Sequence, residues 1–189
     1  MKQAIIILGV LVAIIAIIFG SVLPFYKART YIYFLRTESG ATKTVNEFKQ
    51  SMGNVLDFYS PIGQEEVVRY LGNDILNVVL YGDNKEAADR EMINYLTPYL
   101  FKNDPRHLIL LGEYHRTLYL KYKTEADYQQ SEEVYRKLLA LGPKFPITLQ
   151  NLFELYQTKD NKAGLKEIGE TILKYWPDYQ KIRDAIEKI

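Results

Sequence analysis

The chain has 189 residues, of which 48% are hydrophobic and 25% charged, and its net charge is +1. That balance excludes a disordered polyelectrolyte and a nucleic-acid binder held by charge alone. The lack of cysteine rules out a disulfide framework and a thiol nucleophile, and two histidines argue against a multi-histidine metal centre.

Residues 4–23 read AIIILGVLVAIIAIIFGSVL, with no charge and one hydroxyl. As a helix rising about 1.5 Å per residue, the run is about 30 Å long, the depth of a bilayer core. A soluble core helix of that length would show a polar face. A cleaved signal peptide would have a shorter apolar run followed by a small-residue cleavage site. Residues 1–23 are therefore read as an uncleaved transmembrane anchor, with the lipid bilayer as the partner of residues 4–23. Pro24, Phe25, Tyr26, Lys27, Arg29, Tyr31, Tyr33 and Phe34 come next, a mixture of aromatics and cations that suits a membrane-interface belt. Residues 24–43 are read as a juxtamembrane segment and linker, ending in the small, polar ESGATK of 38–43. The expected location is the cell membrane, single-pass. Lys27, Arg29 and Arg36 favour a cytoplasmic C-terminal domain, whereas the three-residue leader resembles a bacterial signal-anchor, which exports the domain attached to it. The side is left open, with the exported side preferred. Leu23-Pro24-Phe25-Tyr26 is similar to the start of type IV pilins, but the prepilin cleavage motif and the early glutamate are absent.

From residue 44 the apolar spacing is helical, and the fold class read from it is all-α. Val45, Phe48, Met52, Val55 and Tyr59 form one stripe at steps of three and four. Thr44 with Glu47 makes a capping box in front of it. Ser60-Pro61-Ile62-Gly63 interrupts the pattern. Val68, Leu71, Ile75 and Val78 resume it, and Tyr81-Gly82-Asp83-Asn84 breaks it again, with Asp83 and Glu86 as a second capping box. Ala88, Met92, Tyr95 and Tyr99 come after the break. Val78-Val79-Leu80-Tyr81 is the best strand candidate, but its continuity with the stripe from Val68 favours helix. Asp104-Pro105 reads as a cap followed by proline at the first helical position.

Beyond Pro105 the helices pair. Leu108, Leu111, His115, Leu118 and Tyr122 mark one stripe and Val134, Tyr135, Leu138 and Leu139 the next. Leu149, Leu152, Phe153 and Tyr156 then precede Leu165, Ile168, Ile172 and Leu173. Pro143 and Pro177 lie 34 residues apart, the period of the tetratricopeptide repeat. Leu108, Leu111 and Gly112 resemble the first-helix element of that repeat, Tyr135 its second-helix aromatic, and Pro143 and Pro177 its closing prolines. The first hairpin is about seven residues longer than the consensus. In the second repeat Gly169 stands where an aromatic is expected. The resemblance implies a helical-hairpin solenoid following the single transmembrane helix. Residues 44–104 would stack on two repeats at 105–177, and 178–189 would form a capping helix with Gln180, Lys181, Arg183, Asp184, Glu187 and Lys188 outward.

A longer stretch is similar to the C-terminal region of bacterial O-antigen ligases and polysaccharide polymerases. Ser60-Pro61-Ile62-Gly63-Gln64-Glu65, Leu111-Gly112-Glu113-Tyr114 and the run from Glu132 to Pro143 carry that likeness. It implies an accessory, tail-like module lacking the catalytic membrane half.

No phosphate-binding loop, dinucleotide fingerprint, zinc-protease or serine-hydrolase motif is found. His107 and His115 read as packed or surface residues. The carboxylates Glu65-Glu66, Asp89/Glu91 and Glu132-Glu133 read as solvated faces, because neighbouring helical residues point about 100° apart. No catalytic residue, cofactor or metal is assigned, and no enzymatic activity is expected. The tyrosines suit inter-repeat packing first and a partner-binding groove second. The candidate partner-binding surface is Tyr114, Arg116, Tyr119, Tyr122 and Tyr156. The expected function is a membrane-anchored scaffold that binds another protein or peptide through the solenoid, with no role for nucleic acid. An accessory module of envelope polysaccharide polymerisation or ligation is the alternative.

Overall fold

A computed structural model of the chain describes residues 2–38 and 44–188. Ten α-helices and no strand occur among the described residues. The apolar run forms α1 (Lys2–Ile17), none of whose residues is buried. A π-helical turn, Ile18–Val22, joins it to α2 (Leu23–Glu38). Pro24 explains the turn: proline has no N–H for the carbonyl four residues back, and its ring crowds that carbonyl. The helix widens just ahead of it, with the Leu23 N–H reaching Ile18 O instead. Lys2–Arg36 is the one described helix long and apolar enough to cross a membrane. Within the segment read as juxtamembrane and linker, the helix continues to Glu38, and residues 39–43 lie outside the described residues.

The chain divides into two compact units. The first holds Met1–Ile75 and Arg90–Leu100. Its α3 (Val45–Leu56) opens on the expected capping box, with the Glu47 N–H donating to the Thr44 hydroxyl and the Glu47 carboxylate accepting from the Thr44 N–H. Met52 and Val55 pack with Val68, Leu71 and Ile75 of α4 (Gln64–Tyr81) and Leu96 of α5 (Glu86–Leu96) in its buried core. Tyr59 leaves the stripe: α3 has already ended and the ring is exposed. The α3–α4 corner is a made structure. The Ser60 hydroxyl donates to Ile62 O at 2.6 Å, Gly63 takes a left-handed φ of 86°, and Gln64 Nε2 donates to Leu56 O. Lys27, expected in an interface belt, is instead 1% exposed, and its ammonium donates to Val55 O and Phe58 O at 3.0 and 2.6 Å. A cation there satisfies the unpaired carbonyls at the end of α3 and offsets the negative end of its dipole. Tyr31 stacks on Tyr70 and Phe34 meets Phe48 edge-on, so the far end of α2 belongs to this core.

The second unit holds Leu76–Asp89 and Phe101–Ile189. The stretch Val78–Tyr81 is the last turn of α4; Val79 is buried and Val78 partly exposed, a shift of one residue from the expected stripe. The helix α5 begins at Glu86, three residues after Asp83, with Lys85 immediately before its first residue. The remaining helices are α6 (Pro105–Tyr122), α7 (Glu125–Leu141), α8 (Pro146–Lys159), α9 (Lys162–Tyr175) and α10 (Gln180–Glu187). Each packs on the next, and α6 also touches α8. The side chain of Asp104 caps α6 by accepting from the Arg106 N–H, with Pro105 at the first position.

The hairpins α6–α7 and α8–α9 turn alike. Each connection has two residues, and the first of them, Lys123 or Asp160, sits in the left-handed region at φ 59° or 54°. The extra length of the first hairpin extends its helices: α6 is four residues longer than α8, and α7 three longer than α9. Gly112 lies against Tyr135, where a Cβ would stand 2.4 Å from the ring, so only glycine fits beneath that aromatic. At Gly169, where the repeat pattern expects an aromatic, a Cβ would meet Ile186 at 2.4 Å. The side chain from α10 fills the space an aromatic would take. The short helix α10 buries Ile182 and exposes Gln180, Lys181, Arg183, Asp184 and Glu187.

Candidate functional site

Three of the five residues expected on a partner-binding surface are inside the second unit. Tyr114 and Tyr156 are 0% exposed and Tyr119 is 7% exposed. Tyr119 meets Tyr128 edge-on, with Lys123 and Lys159 near its ring. The helical row that put these rings on one stripe is real, and it faces inward. Tyrosine serves burial here where its hydroxyl finds a carboxylate or amide at the edge of the core, as those of Tyr128, Tyr135 and Tyr156 do. The Tyr156 hydroxyl donates to Glu132 at 2.6 Å, and that of Tyr135 donates to Glu113 at 2.7 Å. Burial, together with these carboxylates, raises both phenols above the usual range. His107 is also buried, with its Nδ1 accepting from the Phe101 N–H at 2.8 Å, and His115 stands 3.4 Å from Asp127.

The two glutamates are held in turn by arginine. Arg116 binds Glu154 at 2.7 Å and stands 3.4 Å from Glu113; Arg136 binds Glu132 and Glu167, each at 3.0 Å. The Glu167 bond holds the Arg136 guanidinium charged above its usual range, and Arg136 holds the Glu167 carboxyl below its own. A carboxylate between a phenol and a guanidinium is thus used twice, once between α6 and α7 and once between α7 and α8.

Tyr122, the fifth expected residue, belongs to a cluster around Asp89, which the sequence pattern puts on a solvated face. Asp89 is 0% exposed. Its Oδ2 accepts from Lys121 Nζ at 2.7 Å and from the Tyr122 hydroxyl at 2.6 Å, while its Oδ1 is buried without a hydrogen-bond partner. Lys121 also donates to Val79 O and Gly82 O, at the end of α4. Desolvation opposes the Lys121 charge, but the bond to Asp89 outweighs it and the ammonium is held above its usual range. Burial and the same carboxylate push Tyr122 up. The cause of the difference is plain: position 89 faces outward by local periodicity, and only residues more than thirty positions later reveal its partner. The cluster ties the α4–α5 connection to the end of α6.

An open face remains on α6 and α8. Arg116, half-buried, reaches across to Glu154, and Gln150 and Gln157 are exposed on the same side of α8. Below it lies an apolar groove of about 590 Å³. Pro146 and Gln150 of α8, Ile172 and Tyr175 of α9, Trp176 and Ile182 of α10 line it. Proline sets its shape. Pro146 begins α8, and Pro177 cannot continue α9, so the chain turns at Trp176 with the Tyr179 N–H donating to Trp176 O. Arg183 fixes that turn by donating to Pro177 O at 2.6 Å. The sequence signal for this groove is the 34-residue spacing of Pro143 and Pro177, which sets the two loops at one end of the paired helices. Comparison with protein-family models, curated proteins and solved structures returns no match to this chain.

Proposed function

We propose that the chain is a single-pass, membrane-anchored adaptor of the tetratricopeptide type, which holds another protein at the cell envelope through the face formed by α6 and α8. The observation that carries this reading is the fit of Gly112 under Tyr135 within a two-residue-turn hairpin, repeated by the α8–α9 turn. Those are the positions at which the resemblance puts a small residue and an aromatic. Hairpins of this kind bury their apolar sides on one another and leave the first helices open to a partner. The exposed α1, with no buried residue, supports the anchor at residues 4–23. The second likeness, to the tails of polysaccharide ligases, rests partly on Ser60–Glu65. In that corner Ser60, Gly63 and Gln64 each have a folding role, which supports a shared corner rather than shared chemistry.

A photo-crosslinking residue at Gln157 tests the reading in intact cells. One discrete adduct is expected, lost when Arg116→Glu removes the charge beside Glu154. The same probe at Glu170, exposed on α9, is expected to give none. No adduct at Gln157, or identical adducts from both positions, would sink the adaptor reading. A role in polysaccharide assembly requires that the adduct contain a polymerase or ligase subunit.

A further inference from the structure

The second unit carries a surface that the packing of the hairpins leaves exposed and that adjoins the α6–α8 face at Gln150. Two loops with the helix ends that flank them, 141–147 and 174–179, border the groove described above, the first through Pro146 and the second through residues 175–179. Large apolar side chains project from both: Leu141 is 62% exposed, Phe145 39%, Ile147 43%, Trp176 37% and Tyr179 40%. Ordinary surfaces scatter such residues singly, and five on two adjoining loops call for a cover. Two ammonium groups stand among them. Lys144 Nζ lies 5.2 Å and Lys174 Nζ 6.0 Å from the centre of the Tyr175 ring. Neither lysine has an ion-pair partner among the described residues. Asp178 is the only carboxylate among the described residues that line the groove.

We infer that these two loops form a second membrane contact, in which Leu141, Phe145, Ile147, Trp176 and Tyr179 enter the interface of an anionic bilayer while Lys144 and Lys174 pair with lipid phosphates. The chemistry favours lipid over protein on two grounds. Aromatic and aliphatic residues beside lysine are the composition that settles at the headgroup level, where rings and ammonium groups are both satisfied. Unpaired lysines beside an apolar surface also complement the negative potential of an anionic leaflet, each contributing about fivefold to binding there. The inference rests on the anchor reading in one respect: a chain tethered to a bilayer meets lipid at high effective concentration, so a weak patch suffices.

Trp176 is the only tryptophan, so its emission reports this patch alone. The full chain is reconstituted in nanodiscs of equal parts phosphatidylcholine and phosphatidylglycerol, with plain or brominated acyl chains. Brominated chains are expected to remove at least half of the Trp176 emission, and aqueous iodide to remove little. In pure phosphatidylcholine, or in a Lys144→Gln/Lys174→Gln variant, the bromine quenching should fall several-fold. Leu141→Asp with Ile147→Asp, at exposed positions, should abolish it while leaving the circular dichroism unchanged. Full iodide quenching without bromine quenching overturns the inference, as does bromine quenching indifferent to lipid charge and to the lysines. Shielding from both quenchers in preparations that keep a co-purified protein overturns it in favour of a protein partner. Failure of the chain to enter nanodiscs at all sinks the anchor reading instead, so the two failures are distinguishable.

Discussion

Breaking the Asp89–Lys121 pair from its two sides should cost different amounts. Asp89 is 0% exposed, whereas the Lys121 side chain is 24% exposed and keeps two carbonyl acceptors when the carboxylate is gone. Asp89→Ala therefore removes two charge-assisted bonds but leaves a cation that is still partly hydrated and partly bonded. Its cost should lie near the bottom of the range for a broken buried pair, about 3 kcal/mol. Lys121→Met strands the carboxylate with one phenol as its only donor and strips the cap from the end of α4. That places it near the top, about 5 kcal/mol. Asp89→Asn keeps an acceptor and loses the charge, so each bond drops from the charge-assisted to the neutral range, about 1–2 kcal/mol in all. Because the groups share partners, the Asp89→Ala/Lys121→Met double variant should lose less than the sum of the two, by about 1 kcal/mol or more. Urea titration in detergent micelles measures these losses, with Trp176 as probe, since it lies in the same unit. Equal losses for the two single variants, or a loss under about 0.5 kcal/mol for Asp89→Ala, would refute the reasoning.

Two further outcomes concern the same unit. Tyr122, Tyr128, Tyr135 and Tyr156 are all held above the ordinary phenol value of 10.0, chiefly by burial, and Lys121 above 10.5. A group whose folded value is raised gives stability that is full below the unfolded value and lost as pH rises toward the folded one. The urea midpoint should therefore be flat through neutral pH and fall above about pH 10; a midpoint that rises there would contradict the burial of these rings. Gly112→Ala should destabilise by about 1–2 kcal/mol, because overpacking a fully buried ring exceeds the gain of about 1 kcal/mol in helix propensity. Gly142→Ala, where the nearest atom would be 3.8 Å away, should shift the midpoint little in the same titration.

Local signals carried most of the helix plan. The Thr44–Glu47 box, the Asp104–Pro105 start and the stripes Val68–Leu71–Ile75 and Leu149–Leu152–Tyr156 all depend on residues within a few turns of one another, and the structure places them as read. What failed was non-local. Tyr59 sits just beyond a helix boundary, where periodicity keeps no memory of the ending. Asp89 looks solvated because its neighbours in sequence are polar, and its partner lies 32 residues away. The tyrosine row is visible, but a stripe of aromatic residues with hydroxyls reads alike for a core and for an interface. The edge carboxylates Glu113 and Glu132, which decide between them, come from other helices. The apolar groove needs three helices at once, and its only trace in the sequence is the spacing of two prolines.

The cations of this fold follow a division of labour that explains why net charge says so little about it. Two lysines serve helix ends: Lys27 the last carbonyls of α3, and Lys121 those of α4. Neither end has a glycine to curl back on its own carbonyls at the position following the helix's last turn in the usual left-handed way; Gly82 has no left-handed φ. A compact ammonium on a flexible stem can aim three donors at diverging carbonyl oxygens, which a planar fork cannot. Two arginines go instead to carboxylates, Arg116 between Glu113 and Glu154 and Arg136 between Glu132 and Glu167, where the fork matches paired oxygens. These lysines at helix ends and arginines between helices are both consumed by folding. Lys144 and Lys174 have no such use, so their charge is free to act on something outside the chain. Both stand over the ring of Tyr175, which lines the apolar groove together with the projecting Trp176 and Tyr179.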